Sequence, residues 1–362
     1  MLTDLRRFCV RPARSIRDTM GIMDASALGI VLVVDREGKL LGTITDGDVR
    51  RAVLALVDLD QPVSVLLARK AGSPYAHPIT AHVSADEAVY LSKLKDHNIL
   101  QLPILDKEDR VVGLVTLDEF VPSPALPLRA VIMAGGSGTR LHPLTEHLPK
   151  PMLPVGGRPL MEIMLERLRD AGIRHVKVAT HHKGEKITEY FTDGKEFGVE
   201  LSYISEEQPL GTVGALGLLE CLSETTLVMN GDILTELDFR AMLSYHKEHE
   251  ADLTVAVRHY DVQVPYGVVE CEGSTVHRLN EKPSFGFFVN AGIYLLEPSV
   301  HRFIPNGTRL DMTELIQRLL DEGRPIVSFP IREEWLDIGH HADYRQAQRD
   351  IRRVKHRPAR VS

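Results

Sequence analysis

Residues 128–154 read LRAVIMAGGSGTRLHPLTEHLPKPMLP. The apolar run from Leu128 to Ala134 predicts a buried strand, and it ends in Gly135, Gly136, Ser137 and Gly138. A glycine turn at the C-terminal end of a strand exposes several backbone N–H groups, and such a nest holds anions. Arg140 and Lys150 follow, so two fixed cations flank it. Nest and cations together suit a polyphosphate. Two familiar phosphate motifs are excluded. A dinucleotide fingerprint needs glycine where Leu141 stands, and a Walker A loop needs Gly-Lys-Ser/Thr, which this loop lacks.

Outward from this stretch, apolar runs and helical spacings alternate. Strands are expected over 128–134, 175–180, 199–205 and 225–230, and helices near 159–171, 184–192 and 211–221. Gly172 stands where a helix-stopping glycine belongs. The alternation predicts an α/β domain whose mostly parallel sheet is covered on both faces. Past residue 252 the pattern turns strand-rich, over 252–258, 266–271 and 287–296, before helices near 312–322 and from 341. Ligands of such open sheets sit beyond the carboxyl ends of the strands, where the polar motifs cluster.

Asn230-Gly231-Asp232 follows the strand at 225–230, which sets a carboxylate beside the glycine nest. A second acid, Asp337, stands in Glu334-Trp335-Leu336-Asp337-Ile338-Gly339. Magnesium takes octahedral oxygen ligation and needs one or two protein carboxylates when phosphates and water complete its shell. Both acids are therefore candidate ligands for Mg²⁺, although either alone would also serve as a turn or cap residue.

Taken whole, residues 128–154 resemble the signature of the sugar-1-phosphate nucleotidyltransferases, GG-x-G-T-R-L-x-P-L-T followed by K-P-M-L-P, with every position filled. The resemblance covers about residues 128–345. It implies a Rossmann-like, mostly parallel mixed sheet of GT-A type. It also implies a nucleotide held on Ala134, Gly135, Gly136, Ser137, Gly138 and Thr139, and a base-and-sugar loop with Gln208, Gly211 and Thr212. Asp232 and Asp337 match the family's two metal-binding aspartates, in its NGD and W-x-D-x-G motifs. Glu281-Lys282-Pro283 resembles its E-K-P motif, whose lysine contacts the sugar phosphate, and residues 288–294 (FVNAGIY) resemble its sugar-lining strand. The resemblance thus implies Gly267, Glu281, Lys282, Asn290 and Gly292 around the sugar phosphate, and Arg140, Lys150, Asp232 and Lys282 as the catalytic set.

The chemistry this implies follows from charge. A sugar 1-phosphate is mostly dianionic at neutral pH, because the second pKa of a phosphate monoester is about 6. Its attack on a nucleotide α-phosphorus needs no general base, only placement and relief of repulsion between two polyanions. Arg140 is expected on the departing β/γ phosphates, where a planar fork suits bidentate contact. Lys150 is expected on the α-phosphoryl group and Lys282 on the attacking phosphate, with Mg²⁺ on Asp232 and Asp337. The substrates would be a nucleoside triphosphate and a hexose- or hexosamine-1-phosphate. The loop 209–216 (PLGTVGAL) is most similar to guanylyltransferases that make GDP-sugars, which favours GTP. Mannose-1-phosphate guanylyl transfer and glucose-1-phosphate thymidylyl, cytidylyl or uridylyl transfer stay open as alternatives.

The N-terminal third holds an ungapped repeat. VLVVDREGKLLGTITDGD (31–48) overlays LPILDKEDRVVGLVTLDE (102–119) at an offset of 71 residues. Asp35 falls on Asp106, Gly42 on Gly113, Thr45 on Thr116 and Asp48 on Glu119. Each copy reads as strand, charged turn, strand, then a helix after the threonine, with a further helix ahead of it. The helix ahead of the second copy is expected to begin with Ser84 and Glu87 as a capping box. Over roughly residues 8–121 the repeat resembles a tandem pair of cystathionine-β-synthase-type (CBS) domains, whose G-h-h-T-x-x-D motif (h, apolar) holds a nucleoside's ribose. Gly42, Thr45 and Asp48 approximate that motif in the first copy, while Glu119 departs from it in the second. A regulatory nucleotide on Thr45 and Asp48 is the expectation, and helix capping by the same residues is the alternative. A CBS pair ahead of such a catalytic domain resembles the glucosamine-1-phosphate guanylyltransferases of bacterial legionaminic acid pathways. CBS pairs commonly self-associate, so a homo-oligomer is expected.

The organisation expected is therefore 1–121 as a CBS pair, 122–127 as a proline-rich linker, 128–350 as the catalytic domain and 351–362 as a basic tail. At 362 residues and a net charge of −7, with both signs abundant, the chain lacks a global basic field for nucleic acid. No run approaches the roughly 18 apolar residues of a membrane helix, and the three cysteines, Cys9, Cys221 and Cys271, lack metal or redox spacing. A cytoplasmic protein without nucleic-acid or membrane partners is expected. The pairs His181-His182 and His340-His341 are expected to pack or face solvent, since adjacent side chains point different ways. A transferase domain that has lost activity and only senses nucleotide is the competing reading, and the filled set Arg140, Lys150, Asp232, Lys282 and Asp337 speaks against it.

Overall fold

The computed structural model describes residues 1–72, 76–97, 99–120 and 126–354, in two compact units that divide between Pro124 and Ala125. Residues 122–125 of the expected linker and 355–362 of the expected tail lie outside the described residues.

In the N-terminal unit the two repeat copies build matching three-stranded sheets. Ile30–Val34 pairs antiparallel with Leu40–Thr45 and parallel with Cys9–Val10, and Gln101–Leu105 does the same with Val111–Thr116 and Ala81–His82. The sequence repeat returns as repeated hydrogen bonds. Asp35 Oδ1 accepts from the amides of Glu37 and Lys39 at 2.9 Å each, and Asp106 Oδ1 from those of Glu108 and Arg110 at 2.9 Å each. An aspartate that bonds ahead into its own turn holds that turn tight. The two turns also bond each other, Leu40 N to Asp109 O at 3.2 Å and Val111 N to Gly38 O at 3.0 Å. Phe8, Ile30, Leu32, Val111 and Leu114 form one buried cluster across the two copies.

Two expectations fail here for local reasons. The helix Asp46–Leu54 follows Thr45, but among the described residues the second copy has a 3-10 turn, Leu117–Glu119, in its place. Proline at 122 and 124 forbids a longer helix there. The helix ahead of the second copy is Glu87–Asp96 and its N-cap is Asp86, not Ser84. Ser84 Oγ instead bonds the His82 ring at 2.7 Å.

The C-terminal unit is an α/β domain. Besides a two-residue pair, Pro154–Val155 with Arg158–Pro159, its strands are β1 (Arg129–Met133), β2 (His175–Thr180), β3 (Glu200–Ser205), β4 (Thr226–Asn230), the short β5 (Ile233–Thr235), β6 (Leu253–Gln263), β7 (Val268–Glu272), β8 (Thr275–Asn280), β9 (Ser284–Leu296), β10 (Ile326–Pro330) and the short β11 (Trp335–Asp337). Seven of them form one sheet in the order β3-β2-β1-β4-β9-β6-β10, in which only β9 runs against the rest. Ala130 and Ile132 of β1 join a cluster with Leu160 and Leu165 on one face, while Val131 joins Leu216 and Leu315 on the other. A strand buried on both faces must be apolar along its buried length, which is why β1 reads as an unbroken run from Ala130 to Met133, with Arg129 exposed at its start. The helix Leu160–Asp170 contributes Leu160, Ile163, Met164 and Leu168 as one buried stripe. Each such leucine, fully buried, stabilises the unit by about 1.5–3 kcal/mol.

The helix expected over 211–221 is absent, and Gly214–Leu218 forms a short 3-10 helix instead. A Cβ on Gly214 would lie 2.8 Å from Thr308 O, and one on Gly217 would lie 2.6 Å from Pro305 O. These glycines serve close backbone approach, and their low helix propensity leaves no helix behind. β6 and β9 also run further than expected. Residues 258–263 and 284–289 pair with each other past the points where β10 and β4 stop.

Candidate active site

The glycine nest is anchored at both flanks by its neighbouring strands. Ala134 N donates to Ala179 O at the end of β2 (2.8 Å), and Gly231 N donates to Met133 O at the end of β1 (2.9 Å). Buried Thr145 fixes the far side of the loop, its Oγ1 donating to Gly138 O at 2.8 Å. The inner side is tightly packed, since a Cβ on Gly135 would come within 2.8 Å of Glu206 Oε1. The outer side is open, since a Cβ on Gly136 would meet no protein atom within 4 Å. Ser137, Thr139 and Arg140 are exposed on that side.

Two acids converge beside the nest. Asp232 follows β4, and Lys150 Nζ donates to its Oδ2 across 82 residues of sequence. Asp337 arrives through the pairing of β5 with β11, which sets it opposite Ile233, and Ile338 N donates to Asp232 O at 3.0 Å. Asp337 opens to solvent on one side, while protein atoms crowd the other. That partial burial and then the Asp232 carboxylate push its carboxyl above the usual range, against the pull of Lys150 and Arg140. Asp232, Lys150 and Arg140 thus all act on Asp337. Asp232 Oδ1 is buried without a hydrogen-bond partner, an orphaned oxygen of the kind a hard cation takes up. Among the described residues no group of three or more His, Cys, Asp or Glu is placed to hold a metal. Two carboxylates completed by phosphate and water fit magnesium, whereas a preformed protein cage is lacking.

The loop at 208–212 is fastened to the start of a distant helix. Leu310 N donates to Leu210 O at 2.9 Å, Thr212 N to Asp311 Oδ1 at 3.1 Å, and Met312 N to Thr212 Oγ1 at 2.8 Å. Gly211 has φ +82°, and a Cβ there would lie 2.6 Å from both Leu310 O and Asp311 Oδ1. Gln208 is exposed one turn earlier. Beneath it the buried Glu206 accepts from Leu210 N at 2.8 Å, and burial raises its pKa against that bond.

On β9, Asn290 Oδ1 accepts from Gly292 N at 3.0 Å. Gly292 has φ +71°, and a Cβ there would lie 2.6 Å from Asn230 Nδ2, so glycine lets β9 approach the NGD turn here. Trp335 Nε1 donates to Ala291 O at 2.9 Å, which joins the motif of Asp337 to the same strand. Glu281, Lys282 and Pro283 link β8 to β9. Lys282 is exposed with φ +47°, and a Cβ on Gly267 would lie 3.0 Å from Glu281 Oε2, so those two residues are neighbours.

The structure brings in residues to which the sequence assigned no site role. Thr145, Glu206 and Asp311 each hold a loop of the site. Lys183 does too, donating from Nζ to Thr145 O and Glu146 O at 2.8 and 2.7 Å. Thr145 is the last residue of the opening signature and Glu206 adjoins the loop at 208–212, but Asp311 is 99 residues from its partner Thr212 and carries no local signal. His181 Nδ1 meets Glu206 O at 2.8 Å and His341 Nε2 meets His142 O at 2.9 Å, so these histidines fasten loops.

In the N-terminal unit Thr45 and Asp48 close a capping box. Asp48 Oδ2 accepts from Thr45 N, Thr45 Oγ1 and Lys70 Nζ at 2.9, 3.0 and 2.9 Å, and Oδ1 accepts from Arg51 at 2.7 Å. Burial alone would raise the Asp48 pKa, but Lys70, Thr45 and Arg51 outweigh it and hold it low. In the second copy Glu119 bonds Thr116 N at 3.1 Å and pairs with the chain's N-terminal amine.

Comparisons with known proteins agree with this architecture. The family model for nucleotidyl transferases matches residues 129–354, and the CBS domain model matches 3–55 and 76–122. The chain is 34% identical over 245 residues to a UTP–glucose-1-phosphate uridylyltransferase of Synechocystis sp., covering 62% of this chain and 63% of that protein. It is 32% identical over 231 residues to a mannose-1-phosphate guanylyltransferase of Mycobacterium tuberculosis, covering 61% and 64% respectively. It spans under two thirds of the length of these relatives. A Bacillus anthracis structure assigned as a glucose-1-phosphate thymidylyltransferase superposes with a TM-score of 0.51 at 25% identity, covering 62% of this chain and 95% of that one. The chain belongs to the nucleotidyl transferase family, with two CBS domains ahead of the matched unit.

Proposed function

We propose that the C-terminal unit is a sugar-1-phosphate nucleotidyltransferase that joins a nucleoside triphosphate to a hexose- or hexosamine-1-phosphate. The observation that carries this reading is the convergence of Asp232, Asp337, Lys150 and Arg140 at the open edge of the glycine nest. A nest of amides with cations beside it suits a triphosphate, and a pair of carboxylates beside it, one with an unpartnered buried oxygen, suits a hard cation.

In the proposed reaction a phosphate oxygen of the sugar 1-phosphate attacks the α-phosphorus in line. The bond from that phosphorus to the β-phosphate bridging oxygen breaks, and pyrophosphate departs with the electron pair. No proton moves, because the nucleophile is already ionised. Arg140 grips the β/γ phosphates and Lys282 the attacking phosphate. Lys150, oriented by Asp232, faces the α-phosphoryl group. Residues 134–139 position the phosphates, while Gln208, Gly211 and Thr212 position the base. Mg²⁺, held by Asp232 and Asp337 when bound, would supply charge neutralisation between the two polyanions.

GTP is the proposed triphosphate, supported by the sequence of loop 209–216 and by the guanylyltransferases among the relatives. In a panel of GTP, UTP, dTTP and CTP, GTP is expected to give the highest kcat/KM by at least about tenfold. A preference for UTP would overturn the base assignment and leave the reaction class standing.

A nucleotide on the N-terminal repeats is a second reading, supported by the match of residues 3–55 and 76–122 to the CBS domain model and by the likeness of Gly42, Thr45 and Asp48 to its ribose-holding motif. Titration calorimetry of the full chain with adenine and guanine nucleotides tests it. Binding that persists when the catalytic site is saturated supports it, and its absence reduces Thr45 and Asp48 to helix capping.

A further inference from the structure

Given the nucleotidyl transfer proposed above, on which this rests, we propose that Lys183 is a positioning residue for the triphosphate and its pyrophosphate product. It acts from outside the loop that carries Arg140 and Lys150, by fixing where that loop stands against the nest.

The loop from Thr139 to Pro149 is bonded mostly to itself. Leu141 N donates to Gly138 O at 3.0 Å, Leu144 N to Leu141 O at 2.9 Å and Glu146 N to Pro143 O at 3.0 Å. Turns of this range set local shape but not the place of the loop on the sheet. Among the described residues two side chains from outside bond to it. His341 Nε2 meets His142 O near one end, and Lys183 Nζ donates to Thr145 O and Glu146 O in the middle, at 2.8 and 2.7 Å. Lys183 is itself rooted in the sheet, three residues past the end of β2 and at the start of the helix Gly184–Phe191.

One residue connects Lys183 to the nest. Thr145 is buried, and its Oγ1 donates to Gly138 O at 2.8 Å. Gly138 opens the 3-10 turn Thr139–Leu141, which contains Arg140. A Cβ on Gly138 would come 3.0 Å from Thr145 Cγ2 and 3.6 Å from Lys150 Cβ. The line from Lys183 through Thr145 to Gly138 therefore ends between the two cations of the site. Hydrogen bonds from a charged donor are roughly twice as strong as neutral ones, and two of them on adjacent carbonyls fix direction as well as place. The backbone of Lys183 has φ +57°, a left-handed conformation that costs a residue with a Cβ and that glycine adopts freely. What lysine supplies at this position is its side chain.

The line bears on one substrate. Lys150 has a further anchor in Asp232, whereas Arg140 depends on the turn that Gly138 opens, so a loosened loop weakens the grip on the β/γ phosphates most. Lys282, assigned to the sugar phosphate, lies between β8 and β9, away from this line.

Steady-state kinetics of the full chain with magnesium test this, forward with the triphosphate it uses best and in reverse with pyrophosphate. Lys183→Met should raise KM for the triphosphate and for pyrophosphate about tenfold, since small misplacements of a positioning group carry large costs. KM for the sugar phosphate should stay within about twofold. Lys183→Arg, which keeps the charge and offers two donors, should restore most of the loss. Lys183→Gly suits the left-handed backbone, and it should show the same kinetic loss without a lower melting temperature. Thr145→Val keeps the side-chain shape and cuts the bond to Gly138, so adding Lys183→Met to it should change little. An unchanged triphosphate KM in Lys183→Met overturns the proposal. So do equal rises for both substrates, or a full additive effect of Lys183→Met in the Thr145→Val background. A wild-type chain that forms no pyrophosphate overturns the underlying reaction instead.

Discussion

Asp232 shows how one side chain can answer two demands. Its Oδ2 is taken by Lys150 and its Oδ1 is left buried without a partner, so the carboxylate is oriented but not consumed. Asp337, with its pKa raised by burial and by Asp232, costs free energy to keep ionised until a cation arrives. Asp232→Asn and Asp337→Asn should therefore each lower kcat by about 100–1,000-fold with little change in melting temperature. Steady-state rates at saturating magnesium check this, and a near-wild-type rate in either variant removes that acid from the mechanism. Asp48 is the opposite case, a buried carboxylate fully engaged. Asn at 48 should destabilise the N-terminal unit by about 2–4 kcal/mol at neutral pH, because Lys70 and Arg51 lose the carboxylate they share. The Asp48 pKa is held below its ordinary value, so its contribution is present above the usual carboxylate range and fades as pH falls through the lowered one. Thermal melts of both proteins should converge in acid, and a pH-independent gap would contradict this account.

At the scale of elements, what the sequence made readable was whatever is local. The nest, the NGD turn and the aspartate turns at 35 and 106 are short-range patterns, and each forms where its residues stand. The segment 211–221 misleads because its apolar residues mimic a helical face. Its glycines are there for contact with Leu310, Thr308 and Pro305, about ninety residues on. Asp311 belongs to the same contact. It caps the helix Met312–Asp321 and holds Thr212 N through the same side chain. Asp311→Ala should cost about 1 kcal/mol in stability as a lost cap. It should also raise the apparent KM for triphosphate more than for sugar phosphate, because the loosened loop is the one assigned to the base. Equal effects on both constants would mean that the loop serves neither substrate in particular. The exposed faces of β6–β9 and β7–β8 were also hidden, since alternating apolar residues read as half-buried strands whether or not anything covers them.

At the scale of the molecule, the order of two units sets what each can do. The first has its own clusters around Val31, Val33 and Ile44, and around Leu102 and Ile104, and the second has two cores flanking one sheet. Among the described residues no helix is long and apolar enough to cross a membrane. The central claim is that the open edge of the nest carries out nucleotidyl transfer between two polyanions. The most direct test is pyrophosphate release by the full chain with GTP, magnesium and a panel of hexose and hexosamine 1-phosphates, each substrate also omitted in turn. The account predicts one pyrophosphate per nucleoside-diphosphate sugar, formed only when both substrates are present. Absence of pyrophosphate across the whole panel, with UTP, dTTP and CTP also tried, would contradict it.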